Sequence, residues 1–215
     1  MLNFIRLCQR EGLLATRQLS DSVQALLLYL LLLSLFAFIL QGHPTARLLT
    51  APTFIWFSVI VATSLTADRL FRDDYYDGSL EHFVLSDQPL MSLVAAKCLV
   101  YWMVTVLPII VTLPIVGPLL MIDAPMTQGL FLGLLFGTPI LVLLLALAAV
   151  VTLPLAQRGV LINLLIWPLI LPVVLLALGL LNTDVDLVVF LVALLTLAVT
   201  LLPWMIRYCL LISLE

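Results

Sequence analysis

The amino-acid sequence predicts an all-α membrane protein: six transmembrane helices, an N-terminal interfacial helix, and a short cytoplasmic helix between the second and third spans. Composition is the first reason. Of 215 residues, 64% are hydrophobic and only 10% are charged, whereas a soluble globule carries about a quarter of its residues as charges. The placement of those charges is the second. Six uncharged intervals hold 20 residues or more: 22–46, 48–67, 98–122, 124–157, 159–183 and 187–206. One helix needs roughly 20 apolar residues to cross the hydrocarbon core. The third is texture. The intervals are continuous runs of Leu, Val, Ile and Ala, while barrel strands would alternate over about ten residues, so helices are the spanning structure.

The elements follow in chain order. In residues 1–21, Arg6, Arg10 and Arg17 share one side of a helical wheel, while Met1, Phe4 or Ile5, Cys8, Gly12, Ala15 and Leu19 follow the opposite rhythm. This is an interfacial helix, which either anchors the first span or braces a neighbouring loop; anchoring is the commoner role. It places a polar arm of more than twenty residues before the first apolar run, so that run reads as a retained helix and not a signal peptide. Residues 22–215 form the six-span domain, with spans near 23–40, 49–67, 98–121, 129–152, 159–181 and 187–206. Gly42, Pro44 and Pro52 supply the break between the first two. Pro108, Pro114, Pro139, Pro168, Pro172 and Pro203 fall inside later spans. Each removes a backbone donor and invites a kink, as a hinge or as a static bend.

Orientation follows from Lys and Arg. Arg6, Arg10, Arg17, Arg69, Arg72, Lys97, Arg158 and Arg207 fall on one side of the predicted membrane, and Arg47 alone on the other. Eight against one puts both termini in the cytoplasm and the acidic loops at Asp123, Asp184 and Asp186 outside. Cys8, Cys98 and Cys209 then lie at the cytoplasmic side and read as reduced, structurally bland thiols with no metal-ligand spacing.

Several chemistries are excluded. Lys97 is the only lysine and sits in AAKC, so no G-x-x-x-x-G-K-[ST] phosphate loop exists and the chain is no nucleotide hydrolase by that route. No ionisable residue lies near the middle of a predicted span, which disfavours a proton- or sodium-coupled carrier and an intramembrane aspartyl protease. With a net charge of −3 and no basic run, nucleic acid is not a partner. The lipid bilayer is.

The connection 68–97 is the exception to this blandness, with nine of the chain's 21 charges. Gly78 breaks the extension of the second span, Ser79 suits the N-cap of a short helix, and Glu81 lies in its first turn where the dipole favours a carboxylate. Leu80, Phe83 and Val84 make an i, i+3, i+4 apolar stripe, and Pro89 opens the next helix. Such a helix inserts into a socket on another protein, or lies on lipid headgroups.

The string RLFRDD from Arg69, DGSLE from Asp77, PL at Pro89, AAK at Ala95 and WMVTVLP from Trp102 to Pro108 resembles haem exporter protein B, the CcmB-type permease of cytochrome c maturation ABC transporters. Asp87 departs from the small or apolar residue of that pattern. The resemblance implies an inner-membrane permease that lacks an ATPase and recruits a separate ATP-binding subunit. The implied cargo is haem, or a haem-loaded chaperone to be released. Further implied partners are a second permease copy or a related permease, and other cytochrome c maturation membrane proteins. It implies that Arg69, Arg72, Asp73, Asp77, Gly78, Ser79, Leu80 and Glu81 shape the docking element, and that Trp102, Thr105 and Pro108 begin the span that moves with it. His43, Met103 and Met121 form no ligand pair readable from spacing, so no haem ligand and no metal site is assigned. Two rival readings keep the coupling loop: an ABC permease for a drug, lipid or polysaccharide, and an assembly scaffold that transports nothing.

Overall fold

The computed structural model describes residues 2–17, 19–80, 90–154, 158–182 and 185–213, with no strand among them. We number the helices α1 (Leu2–Arg17), α2 (Leu19–Ile39), α3 (Pro44–Ala67), α4 (Arg69–Tyr76), α5 (Leu90–Tyr101), α6 (Leu107–Val111), α7 (Leu113–Leu119), α8 (Ala124–Val151), α9 (Arg158–Gly179) and α10 (Val185–Ser213). A π-helical turn, Trp102–Val106, links α5 to α6. Five stretches are long and apolar enough to cross a bilayer; α9, of 22 residues, is the sixth apolar helix.

α8 is the axis of the bundle. It packs against α3, α9 and α10, and 17 of its residues are buried. Close approach is possible because Gly129, Gly133 and Gly137 recur every fourth residue. A Cβ on Gly129 or Gly133 would stand 3.0 Å from the carbonyl oxygen of Leu180 or Ala177 in the α9 region. Lipid tails are as apolar as leucine, so membrane helices associate through such backbone contact and not through hydrophobic burial. A Cβ on Gly137 would lie 2.6 Å from the fully buried ring of Trp56 on α3. α2 and α10 are peripheral: Leu27, Leu31, Leu35 and Phe38 on the first, and Val189, Phe190, Leu197 and Trp204 on the second, are exposed. An apolar face of that kind suits acyl chains.

The spans differ from expectation in their ends, α8 beginning at Ala124 and α10 running to Ser213, and in three places that bear on the site. α3 begins at Pro44, with proline in its first turn and Pro52 accommodated inside the helix; proline at a helix start gives up only an N–H that has no partner anyway. Arg47 is therefore helical and buried, and its guanidinium Nη2 donates to the Leu119 carbonyl at the end of α7. The third span is not one helix. Leu107 N–H reaches the Trp102 carbonyl, five residues back, next to Pro108, which has no N–H to keep the α register. A second interruption follows at Thr112, before Pro114. By contrast Pro139, Pro168, Pro172 and Pro203 sit inside continuous helices.

α1 lies along α5. Its buried side carries Leu7 and Glu11, with Phe4 and Cys8 partly buried against the core; Arg6 and Arg10 face out. Arg6 and Arg10 lie as the wheel indicates, but a carboxylate on the packed face was not expected.

Candidate functional site

The charged connection is built on an extension of the second span. After a turn at Asp68 the chain continues as α4, which Phe71, fully buried, fixes to the bundle. Residues three apart share a helix face, so Asp74 follows Phe71 inward. Arg72 reaches back one turn to Asp68 at 2.9 Å. Gly78, at φ +69°, ends the extension in a conformation that costs other residues Cβ strain. The Ser79 hydroxyl then donates to Asp74 Oδ1 at 3.1 Å and to the Asp74 carbonyl at 3.2 Å.

Three separate helices meet at Lys97. The Lys97 side chain is only 8% exposed, and its ammonium lies 2.9 Å from Glu11 Oε2 on α1 and pairs with Asp74 on α4. A buried ammonium needs such partners, because the desolvation of an unpaired ion costs several kcal/mol. A second tie joins α4 to α2, from Arg69 to Asp21. Beside them the Tyr101 hydroxyl donates to the Thr63 carbonyl and shares a hydrogen bond with the Thr66 hydroxyl, each at 2.8 Å. Thr105 pairs with Ser22 at 3.0 Å. Trp102 Nε1 donates to Thr138 Oγ1 on α8 at 2.9 Å.

A cavity of about 200 Å³ opens among these elements. Glu11, Asp21, Asp73, Asp74 and Asp77 line it, against Arg69 and Lys97. Cys8, one turn before Glu11, has its thiol pKa raised by burial and, secondarily, by the Glu11 charge, which leaves it a poor thiolate. Among the described residues no group of His, Cys, Asp and Glu could hold a metal ion.

A family model described as CcmB protein matches residues 2–213. The chain belongs to the CcmB protein family. Among its relatives, Heme exporter protein B of Pseudomonas aeruginosa is 35% identical, over 98% of this chain and 97% of that protein. Heme exporter protein B of Haemophilus influenzae is 36% identical, over 81% and 79%, and that of Escherichia coli K12 is 34% identical over the same shares. The match to the CcmB model runs from α1 to α10 and so includes the junction at Lys97.

Of the loop residues named from the CcmB resemblance and the local pattern, Arg69, Arg72, Asp73, Asp77, Gly78, Ser79 and Leu80 gather at this junction, while Glu81, Phe83, Val84 and Pro89 lie outside the described residues. Leu80 requires a correction. It is 1% exposed and belongs to the chain's own core, so it is withdrawn from the apolar stripe offered to a partner. Ser79 is itself helical and donates backward to Asp74, because that carboxylate already sits within reach across the Gly78 turn.

Glu11, Asp21 and Asp74 were missed as ion-pair partners. One signal pointed to the first and third: Lys97 opens an apolar run and has no acidic residue one turn away on either side, so its counter-charge had to come from a distant segment.

Proposed function

We propose that this chain is the membrane permease of an ABC-type complex for c-type cytochrome biogenesis, in which ATP hydrolysis by a partner subunit drives haem export or the release of a haem-loaded chaperone. The observation that carries the reading is Lys97, held between Glu11 and Asp74, in a chain of the family to which the Heme exporter protein B relatives belong. The one lysine, which a phosphate-binding loop would need, is thereby committed to joining α1, α4 and α5. A push on the 68–97 connection is passed through Asp74 and Lys97 to the root of the third span.

That span can answer the push. A helix with an unbroken ladder moves as a rod, whereas a π turn before Pro108 and a break at Thr112 let its lower part shift against the upper. Trp102 and Thr105 set the rest position through Thr138 and Ser22. α1 then acts as a brace and not as an anchor alone. The basic residues favour a cytoplasmic location for this junction and for both termini, in the bacterial inner membrane. Such a permease acts with a second copy or a related permease, since ABC ATPases act as pairs. It works alongside the other cytochrome c maturation membrane proteins and the haem chaperone.

The test is to reconstitute the complete complex in vesicles and to follow haem and ATP together. ATP-dependent haem movement supports export; chaperone release without haem movement supports the second route. ATP turnover by the isolated chain refutes the permease reading.

A further inference from the structure

Arg47 is a buried cation that the described residues do not neutralise. It stands in the first turn of α3, at the opposite end of the second span from the Lys97 junction, and is 7% exposed. Its Nη2 donates to the Leu119 carbonyl. Its Nε is enclosed without a hydrogen-bond partner, and among the described residues every ion pair involves some other cation. Asp123, four residues after Leu119, is engaged elsewhere, as the N-cap of α8 that accepts the Met126 N–H at 3.3 Å. One carbonyl satisfies one of the five N–H donors of a guanidinium and brings no full negative charge. An ion taken from water without a counter-ion costs several kcal/mol, so this group calls for an oxyanion from outside the chain.

The surface beside Arg47 indicates what carries that oxyanion. Leu48 and Leu49 on α3 are exposed, and so are Ile115 and Leu119 on α7, with Leu49 at 78% and Ile115 at 77%. The two elements that Arg47 joins therefore both turn apolar side chains outward next to the cation. Depth agrees. Residues 48–67 are uncharged and just long enough to cross the hydrocarbon, which leaves Arg47 at the level of the headgroups. A soluble anion would gain nothing from the leucines, and an acyl chain alone would gain nothing from the arginine. A molecule with a phosphate above two acyl chains meets both.

We propose that Arg47 is the seat of a phospholipid, with the phosphodiester on its guanidinium and the acyl chains along Leu48, Leu49, Ile115 and Leu119. A guanidinium presents two parallel N–H donors to a phosphate. One hydrogen of Nη2 stays on the Leu119 carbonyl, and the other forms such a pair with Nη1. The lipid completes the joint between the start of α3 and the end of α7. It thereby clamps the far end of the third span, whose near end is held at Lys97. The site stands apart from the permease reading, since neither the cargo nor ATP enters the argument.

The experiment uses the full-length chain, delipidated in a non-ionic detergent and a phosphate-free buffer. Dioleoylphosphatidylglycerol is titrated in, beside dioleoylglycerol, which has the same chains and no phosphate, and beside inorganic phosphate. Native mass spectrometry counts the bound lipid, and the midpoint of thermal unfolding is followed in parallel. Wild type is compared with Arg47→Gln and with Arg207→Gln, a change at an exposed arginine of α10. The expected result is one phosphatidylglycerol held by wild type with a raised midpoint, a tenfold or greater loss of affinity in Arg47→Gln, and no change in Arg207→Gln. Dioleoylglycerol and inorganic phosphate should each leave the midpoint where it was. A phosphatidylglycerol with a photoreactive headgroup should label the wild-type chain within residues 43–49 or 117–123, a readout that holds even if Arg47→Gln does not fold. Equal affinity for Arg47→Gln and wild type, an equal rise in midpoint with dioleoylglycerol or with inorganic phosphate, or labelling confined to other segments overturns the proposal.

Discussion

Lys97→Met tests the junction most directly. The ammonium lies 2.9 Å from Glu11 Oε2, where the gross attraction is about 6 kcal/mol at an effective dielectric constant of about 20. Much of that is offset by the desolvation of both ions, so the pair as a whole contributes little to stability. Removing only the lysine is a different matter. Glu11, 7% exposed, and Asp74 would then share a buried space with no cation between them. Breaking a buried pair from one side costs about 3–5 kcal/mol. At about 1.4 kcal/mol per tenfold, that shifts the unfolding equilibrium by a hundredfold or more. The assay is equilibrium unfolding of the purified chain in mixed micelles of rising SDS content. The triple variant Glu11→Gln/Asp74→Asn/Lys97→Met, which removes all three charges together, should recover most of the loss. It should nevertheless fail to support c-type cytochrome maturation if α1 and α4 transmit force through this contact. A single Lys97→Met variant as stable as wild type, or a triple variant as unstable as the single one, would refute the reasoning.

Three other outcomes are expected. Gly137→Ala puts a methyl group 2.6 Å from the Trp56 ring and should destabilise the bundle by about 1–3 kcal/mol in the same unfolding assay, with Trp56→Phe relieving part of the loss. Pro108→Ala restores the N–H missing above the π turn. If the turn then tightens to α geometry, residues below it rotate by about 100° and Trp102 loses its bond to Thr138, so Thr138→Val should destabilise the wild-type chain in the unfolding assay but not the Pro108→Ala variant. Phe83→Asp should release the ATPase while leaving membrane insertion intact, since the burial of one phenylalanine is worth about 1.5–3 kcal/mol; wild-type co-purification and wild-type cytochrome levels would mean that Phe83 is not a docking residue.

How much of this was legible before folding varies by residue. The break at Gly78 was, because a glycine after an amphipathic run with an abrupt charge change is a local signal, and the structure gives it φ +69°. The fate of Leu80 was not. The same i, i+3, i+4 stripe is written whether its first residue faces a partner or the chain's own bundle, and Leu80 faces the bundle. Proline was ambiguous in the same way. Pro108 sits beside a real interruption of the helix and Pro139 does not, although both lie in apolar runs of similar texture.

The sequence by itself determined the membrane, the number of spans and the charged connection between the second and third. These follow from one-dimensional quantities: the hydrocarbon thickness sets a minimum uncharged length, and 21 charges cannot interrupt it except at the ends. Only the tertiary structure decided that Glu11, 86 residues before Lys97, and Asp74, 23 residues before it, are the partners of that lysine. No helical period extends over such separations. The pairing is imposed by desolvation: once α1, α4 and the foot of α5 are packed together, a lysine closed off from water must find its carboxylates among the residues that the bundle brings to it.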